Sequence, residues 1–220
     1  MRNSLGPLTP FNPPTLDALQ GYDVNRAGQW EVIWQPLYDI QVYALAGVTQ
    51  QTFFQRTVGA AGVTQADTNM EAAGQLPNPK AFLCTGIQVV FIPGNVVSQS
   101  EAAAGTALEN WNDVEAVMNG NAFLRFFIGS KDYLVDGPLS KFTQQFRLDG
   151  VAALTGAGSV ATTDFVDYAV HCGRYYSITP VKLPSNQNFS VSLNFPAAIP
   201  TTVDGTIGVI LDGFQYRLSQ

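Results

Sequence analysis

The side chains that perform most enzyme chemistry are scarce in this sequence. It contains one histidine, His171, and two cysteines, Cys84 and Cys172, and only 13% of its 220 residues are charged. Histidines, thiols and clustered carboxylates supply most general acids, bases and nucleophiles. His171 and Cys172 are adjacent in a predicted strand, where neighbouring side chains point to opposite faces. A nucleophilic pair would therefore need Cys84 to fold back onto His171, and we expect a structural histidine instead.

Metal binding is not expected either. A zinc site needs four ligands, and this sequence has neither a second histidine nor two closely spaced cysteines. The acidic pairs Asp164 with Asp167 and Asp132 with Asp136 could bind calcium or serve a glycosidase, but such pairs are usually solvated loop edges. We therefore predict no catalytic, cofactor-binding or metal-binding residues, and a protein that is not an enzyme.

Three further local patterns have ordinary structural explanations. The segments Gly156–Ser159 and Gly129–Lys131 lack the spacing of a phosphate-binding loop and are expected to be turns. Asn188–Ser190 is a glycosylation sequon inside a predicted strand, in a chain without a secretory signal, and we expect it to stay unmodified. Five aromatic residues could form a sugar-binding platform, with core packing as the favoured alternative: Tyr175, Tyr176, Trp30, Trp34 and Trp111.

The elements that must position these residues are mainly strands. Alternating segments such as Asn188–Phe195 recur from Trp30 to the C-terminus, and tallying them gives about eight main strands. Between Lys80 and Ile92 the apolar alternation changes phase at Gly86, which predicts a bulge or a bend. One inserted helix is indicated by Thr106 and Glu109 in capping-box spacing, by apolar Leu108, Trp111, Val114 and Met118 on one face, and by Gly120 as its end.

The domain organisation follows from this pattern. We predict an extended, apolar N-terminal arm over residues 1–28 and one all-β domain over residues 29–220, with a small-residue loop at 149–163. The arm could clamp its own domain or strap a neighbouring copy, and the sequence leaves both open. An even number of strands fits two packed four-stranded sheets in a jelly-roll β-sandwich, with two compact jelly rolls as the alternative.

Charge limits the partners. The formal net charge is −6, and no cluster of lysine or arginine is present. Direct, tight binding to nucleic acid is therefore not expected, because phosphate contacts need a concentrated basic surface. The N-terminal residues lack the apolar core of a signal peptide, so synthesis in a cytosol is expected.

Parts of the sequence resemble a known family. The segments Phe126–Leu134 with Pro138–Leu139, Asp67–Met70 with Gly74–Pro77, and Ile207–Gly213 are similar to the jelly-roll major capsid proteins of tailless icosahedral prokaryotic viruses. The resemblance implies a structural virion protein that is made in the host cytoplasm and self-assembles in many copies into an icosahedral bacteriophage shell. It implies other virion proteins as further partners. Residues 1–28 hold only Arg2 and Arg26 as basic residues, so the inner face of such a coat is expected to meet an internal membrane or another protein and not bare nucleic acid.

A second function is kept beside this one. A carbohydrate- or receptor-binding jelly-roll module of a virion, such as a spike or a minor coat protein, would use exposed aromatic side chains and loop carboxylates.

Overall fold

Strands dominate the computed structural model, which describes residues 30–94, 104–142, 145–152, 163–171 and 175–218. Within these ranges there are eleven strands, one α-helix and a short 3-10 turn. The strands are β1 (Trp30–Trp34), β2 (Leu37–Tyr43), β3 (Gln50–Phe53), β4 (Ala81–Ile92), β5 (Phe123–Ile128), β6 (Lys131–Pro138), β7 (Gln145–Ala152), β8 (Thr163–His171), β9 (Tyr176–Leu183), β10 (Phe189–Asn194) and β11 (Gly205–Leu218). The helix α1 is Ala104–Asn119, and the 3-10 turn is Leu139–Lys141.

Nine of the described strands form two antiparallel sheets. In the first, β11 pairs with β4 on one side, β4 pairs with β9, and the other side of β11 is shared by β1 and β2. The second sheet has the order β3-β10-β5-β6. Strands β7 and β8 pair with each other as a separate two-stranded sheet.

The core lies between the two sheets, because each contributes one apolar face to it. Each aliphatic or aromatic side chain that is fully buried there stabilises the fold by about 1.5–3 kcal/mol, because it is removed from water. The predicted all-β sandwich is thereby confirmed as two facing antiparallel sheets around a common core. Its fully buried members include Ile87, Val89, Leu124, Phe126, Val191, Leu193, Ile207, Val209 and Leu211.

The predicted irregularity at Gly86 is confirmed. Asp212 of β11 pairs with Gly86, whereas the next residue, Gly213, pairs with Cys84, so Thr85 is left over as the extra residue of a bulge. The register between β4 and β9 shifts at the same point. A bulge of this kind bends the strand and moves the following residues to the other face.

The predicted helix is present between β4 and β5, with a different start. It begins at Ala104, two residues before Thr106, so Thr106 lies in its first turn and is not the residue before it. It ends at Asn119, directly before Gly120 as expected. Val114 and Met118 of the predicted apolar face are buried in the core.

The prediction for residues 149–163 was wrong at both ends. Residues 149–152 belong to β7 and Thr163 begins β8, so two strands occupy part of what was expected to be loop. The small residues Gly150 to Ala152 weaken any alternating pattern, while the backbone pairing with β8 supplies the hydrogen bonds that form the strand. The predicted arm, 1–28, lies outside the described residues.

Candidate functional site

The structure places the rare reactive residues in unreactive or undescribed positions. Cys84 is a free, fully buried cysteine whose thiol donates a hydrogen bond to the Gly86 carbonyl over 3.3 Å. Burial raises the pKa of this thiol far above its usual value, so the nucleophilic thiolate is not formed near neutral pH. His171 ends β8, and Cys172 lies outside the described residues.

The acidic residues of both predicted pairs lie in strands. Asp164 and Asp167 are both in β8, and Asp132 and Asp136 are both in β6, so neither pair lies on a loop. The carboxylate of Asp136 forms an exposed ion pair of 3.4 Å with Arg125. In the described part of the chain no group of three His, Cys, Asp or Glu side chains could hold a metal ion.

Of the two glycine segments, Gly129–Lys131 lies within the described residues. Gly129 occupies the predicted turn between β5 and β6 with a φ of 60°, a conformation that favours glycine. Its N–H donates to the carbonyl of Asn188, which is exposed and lies just before β10 instead of inside a strand. The segment Gly156–Ser159 falls outside the described residues.

The aromatic residues do not form one platform. Trp34 is 56% exposed, so core packing was the wrong expectation for its side chain. Tyr176 is also exposed, but its ring packs edge-on against Phe142 and lies on the other face of the first sheet. Tyr175 and Trp34 are linked, because both donate a hydrogen bond to one carboxylate that was not predicted from the sequence.

That carboxylate is Asp212, at the bulge in the middle of β11. Its Oδ1 accepts a hydrogen bond of 2.9 Å from the Trp34 indole N–H, and it also accepts from the Tyr175 hydroxyl and the Gly213 backbone N–H. The side chain is 6% exposed. Burial raises the pKa of Asp212, and these three donors oppose the rise. We conclude that the cluster locks β1, β11 and the start of β9 together at the bend.

The raised pKa of Asp212 gives a pH-dependent prediction. A carboxyl whose pKa is higher in the folded state contributes stability below its unfolded pKa, and this contribution is lost as the pH rises through the folded value. Asp212→Asn keeps an acceptor oxygen for Trp34 but carries no buried charge. We therefore expect the stability of the variant, relative to the native chain, to improve as the pH is raised from about 4 to 7.

Urea denaturation of both proteins at a series of pH values measures this difference. Every other titrating group is common to the two chains and cancels. We would conclude that Asp212 has no raised pKa if the difference in unfolding free energy, variant minus native, stayed constant with pH. The same conclusion would follow if this difference fell as the pH was raised to 7.

A second buried carboxylate, Asp39 of β2, joins the two sheets at the β2–β3 corner. It is fully buried and accepts hydrogen bonds from the backbone N–H of Phe54 at 2.7 Å and from the Gln41 amide at 2.8 Å. Arg56 forms an ion pair with it over 2.8 Å. The same guanidinium donates to the carbonyl of Ile40. This network is structural, since its donors are all supplied by the chain itself.

The two outer faces of the sandwich differ in polarity. The strand register of the second sheet points Thr52, Ser190 and Arg125 outward, together with the partly buried Phe123 and Phe127. Antiparallel sheets usually alternate in this way between core and solvent. The outer face of the first sheet is instead largely apolar and consists chiefly of Val32, Trp34, Ile40, Val42, Ala81, Leu83, Val90, Ile92, Ile210, Phe214 and Tyr216.

Part of this apolar face is open to solvent. Val42 of β2 and Ile92 of β4 both pair with Thr206 of β11, so they stand in one row across three strands. They are 66% and 54% exposed. Val42 and Ile92 flank this threonine, and exposed apolar side chains grouped on one face mark a contact surface more often than scattered single residues do. The outer face of the first sheet is therefore the candidate functional site.

The comparisons with known proteins add no family. The chain matches no protein-family model, and neither a curated protein nor a solved structure is significantly similar to it. Within the described parts of the chain, none of the helical segments has the length and apolar character that crossing a bilayer requires. The class that fold and site define is an all-β sandwich of two antiparallel sheets, the first of which has a largely apolar outer face.

Proposed function

We propose that this sandwich is a single jelly roll and that the chain is the major capsid protein of an icosahedral bacteriophage. The fold part of the proposal is supported by strand order. Eight strands in chain order are β2, β3, β4, β5, β6, β9, β10 and β11, and in that numbering the sheets run 1-8-3-6 and 2-7-4-5. First pairs with last, second with seventh, third with sixth and fourth with fifth, as in one long hairpin rolled up. Jelly rolls with eight strands occur in viral capsid and lectin domains.

The unlike outer faces carry the functional part of the proposal. A coat subunit acts through surfaces and not through reactive side chains, and the described chemistry here is structural. The apolar row at Val42 and Ile92 offers area that can be buried against another copy with little charge to desolvate. In a closed symmetric shell each weak contact is repeated at every copy, so small contacts suffice for assembly.

The partners and location follow from the proposal. They are further copies of the chain, other virion proteins and an internal membrane, with the subunit made in the host cytoplasm and carried in the virion. The net charge of −6 makes direct, tight binding to a genome unfavourable.

Sugar binding gains no support from the aromatic side chains that the structure describes. The Trp34 indole N–H is used by buried Asp212, and Tyr176 lies on the opposite face. A platform needs aromatic faces and free polar groups on the same surface.

Self-association is the property to measure. We expect the purified chain to form large closed particles above a threshold concentration, seen by sedimentation and negative-stain electron microscopy. Val42→Glu places a charge in the apolar row, and burying an unpaired charge is costly. We expect the threshold to rise by about tenfold or more, which corresponds to ~1.4 kcal/mol per contact.

The matched control is Thr52→Glu, which adds the same charge to an exposed strand position on the other sheet. It should leave the threshold unchanged, and both variants should unfold at the same urea concentration as the native chain. A native chain that stays monomeric at all concentrations would contradict the coat proposal. Equal effects of the two charges would show that the apolar row is not the contact surface.

A further inference from the structure

A small cavity opens at the margin of the core, where the segment 69–80 meets the first sheet. Its volume is about 130 Å³, and its lining includes Gln215 near the end of β11. Gln215 pairs with Phe82 of β4, a core residue, so the glutamine side chain is on the inner face of the sheet. Glutamine is mostly exposed in folded proteins, yet this one is only 7% exposed. Its amide is therefore largely removed from bulk water.

The Gln215 amide makes no hydrogen bond to any residue that the structure describes. A buried polar group in this state costs free energy, and most such groups are paired. Asn69 of the same lining has the usual arrangement. Its Oδ1 accepts a hydrogen bond of 3.0 Å from the Tyr38 backbone N–H, and its Nδ2 donates to the Pro36 carbonyl over 2.7 Å. The buried and unused hydrogen-bonding capacity of this cavity therefore lies at Gln215.

Apolar side chains form the rest of the buried lining. Leu37, Met70 and Leu76 are each at most 3% exposed. Their side chains offer no partner to a polar molecule, whereas a buried water usually makes about three hydrogen bonds. An apolar cavity of about 150 Å³ holds one benzene molecule, so the present volume suits about five or six non-hydrogen atoms. The cavity fits a compact ligand with an apolar body and one polar end.

The charged side chains of the lining are already paired. Glu71 and Lys80 form an ion pair with each other, and the Arg217 guanidinium pairs with the Glu31 carboxylate over 2.8 Å. A charged ligand would lose hydration here without meeting an unpaired charge of opposite sign. The lining therefore favours a neutral ligand.

The Gln215 amide narrows the choice of ligand further, because it places a carbonyl acceptor and an NH₂ donor side by side. A second primary amide presents the same two groups and can form two parallel hydrogen bonds with it. A carboxylate only accepts hydrogen bonds, so one of its oxygens would face the carbonyl oxygen of Gln215. A neutral amide is therefore the better complement.

We propose that this cavity binds an uncharged primary amide on a short apolar stem, with the amide paired to Gln215. The stem packs against Leu37, Met70 and Leu76. A free small amide and the Asn or Gln side chain of a second copy both present this chemistry. The site is separate from the apolar row at Val42 and Ile92, and the proposal holds whether or not the chain forms a shell.

Nuclear magnetic resonance of the nitrogen-labelled native chain tests the site, at a concentration where the chain is monomeric. The probes are propionamide and propionate, which differ only in the polar end. We expect the side-chain NH₂ signals of Gln215 to shift saturably with propionamide, with a Kd of about 1–10 mM, an affinity that about five non-hydrogen atoms can supply. Propionate should bind at least about tenfold more weakly, because its charge would be buried unpaired.

Gln215→Met removes both polar atoms and keeps an unbranched side chain of similar length. Propionamide should bind this variant at least about tenfold more weakly, measured from the backbone signals of Leu37 and Met70, because two hydrogen bonds are lost. The matched control is Gln187→Met, which removes an exposed amide that does not line the cavity and should leave the affinity unchanged. If Gln215→Met does not fold, the two probes on the native chain still decide the question.

Three results would overturn the proposal. One is a native chain whose Gln215 signals respond to neither probe, as expected of a cavity that holds water only. Another is an equal affinity for propionamide and propionate, and the third is an unchanged affinity for propionamide in Gln215→Met.

A concentration series of the native chain distinguishes the two sources of the amide. Gln215 signals that shift with protein concentration alone, and shift back when propionamide is added, support pairing with a side chain of a second copy. Signals that do not depend on protein concentration, together with saturable propionamide binding, support a free small amide.

Discussion

Asp39→Ala is expected to lower the free energy of unfolding by about 2–3 kcal/mol, toward the upper end of the usual cost of leaving a buried hydrogen-bond donor without its acceptor. The change leaves the N–H of Phe54 without its acceptor and Arg56 without its carboxylate. Phe54 is itself fully buried and held at a φ of 68°, which is unfavourable for a residue with a side chain. Asp39 is the acceptor that holds this conformation against β2, so the β2–β3 corner should open first.

Urea denaturation of the monomer measures this loss, and two variants calibrate it. Asp39→Asn keeps an oxygen for Phe54 but loses the ion pair, so its cost should fall between those of the alanine variant and the native chain. Glu71→Ala breaks the ion pair with Lys80. The Glu71 side chain is 52% exposed, so this change should lower the free energy of unfolding by at most about 1 kcal/mol. If Asp39→Ala costs no more than Glu71→Ala, the buried network does not hold the corner.

The fold was largely predictable because its strands carry local signals. The segment Asn188–Phe195 alternates apolar and polar residues, and the structure forms β10 from Phe189 to Asn194. The change of phase at Gly86 predicted the bulge, because a shift of one residue exchanges the two faces of a strand. Strand β7 was missed, since its end at Gly150–Ala152 has no alternation and depends on pairing with β8.

The anchoring carboxylates could not be predicted, because their partners are distant in sequence. Asp212 and Trp34 are separated by 178 positions, and no local spacing links them. Asp39 meets Phe54 only because the backbone turns sharply after β3. One signal was available for Asp212, which is a charged residue in the middle of the apolar run Ile207–Phe214. A carboxylate in that position must be hydrogen-bonded or solvated.

The polarity of the outer faces could be predicted from the sequence only in part. The apolar residues of β4 and β11 were visible in the sequence, and runs that are apolar at successive positions indicate a strand buried on both sides. Which of these side chains are open could not be read from the strands themselves. Val42 and Tyr216 both point to the same outer face, yet one is exposed and the other fully buried. The residues of a strand specify its two faces but not how much of each face is covered.

Gly213→Ala is expected to be the most disruptive small substitution in the first sheet. A Cβ on Gly213 would lie 2.0 Å from the carbonyl oxygen of Leu83 and 2.8 Å from the ring of Phe82. The oxygen belongs to the backbone of β4, the central partner of β11, so it cannot move aside as a flexible side chain could. The two strands would have to separate at the bulge, which would also disturb the hydrogen bond between Asp212 and Trp34. Overpacking of this kind should lower the free energy of unfolding by about 3 kcal/mol.

The matched control is Gly59→Ala, because a Cβ there has no atom within 4 Å but the backbone φ is +83°. That variant isolates the cost of a left-handed residue, about 1–2 kcal/mol, without any clash. Urea denaturation of both variants separates steric exclusion from backbone strain. Equal losses would mean that β4 and β11 can part at little cost. A larger loss for Gly213→Ala would establish that close contact of the two strands fixes the bulge, and with it the phase change that turns Phe82 and Cys84 toward the core and Leu83 toward the outer face.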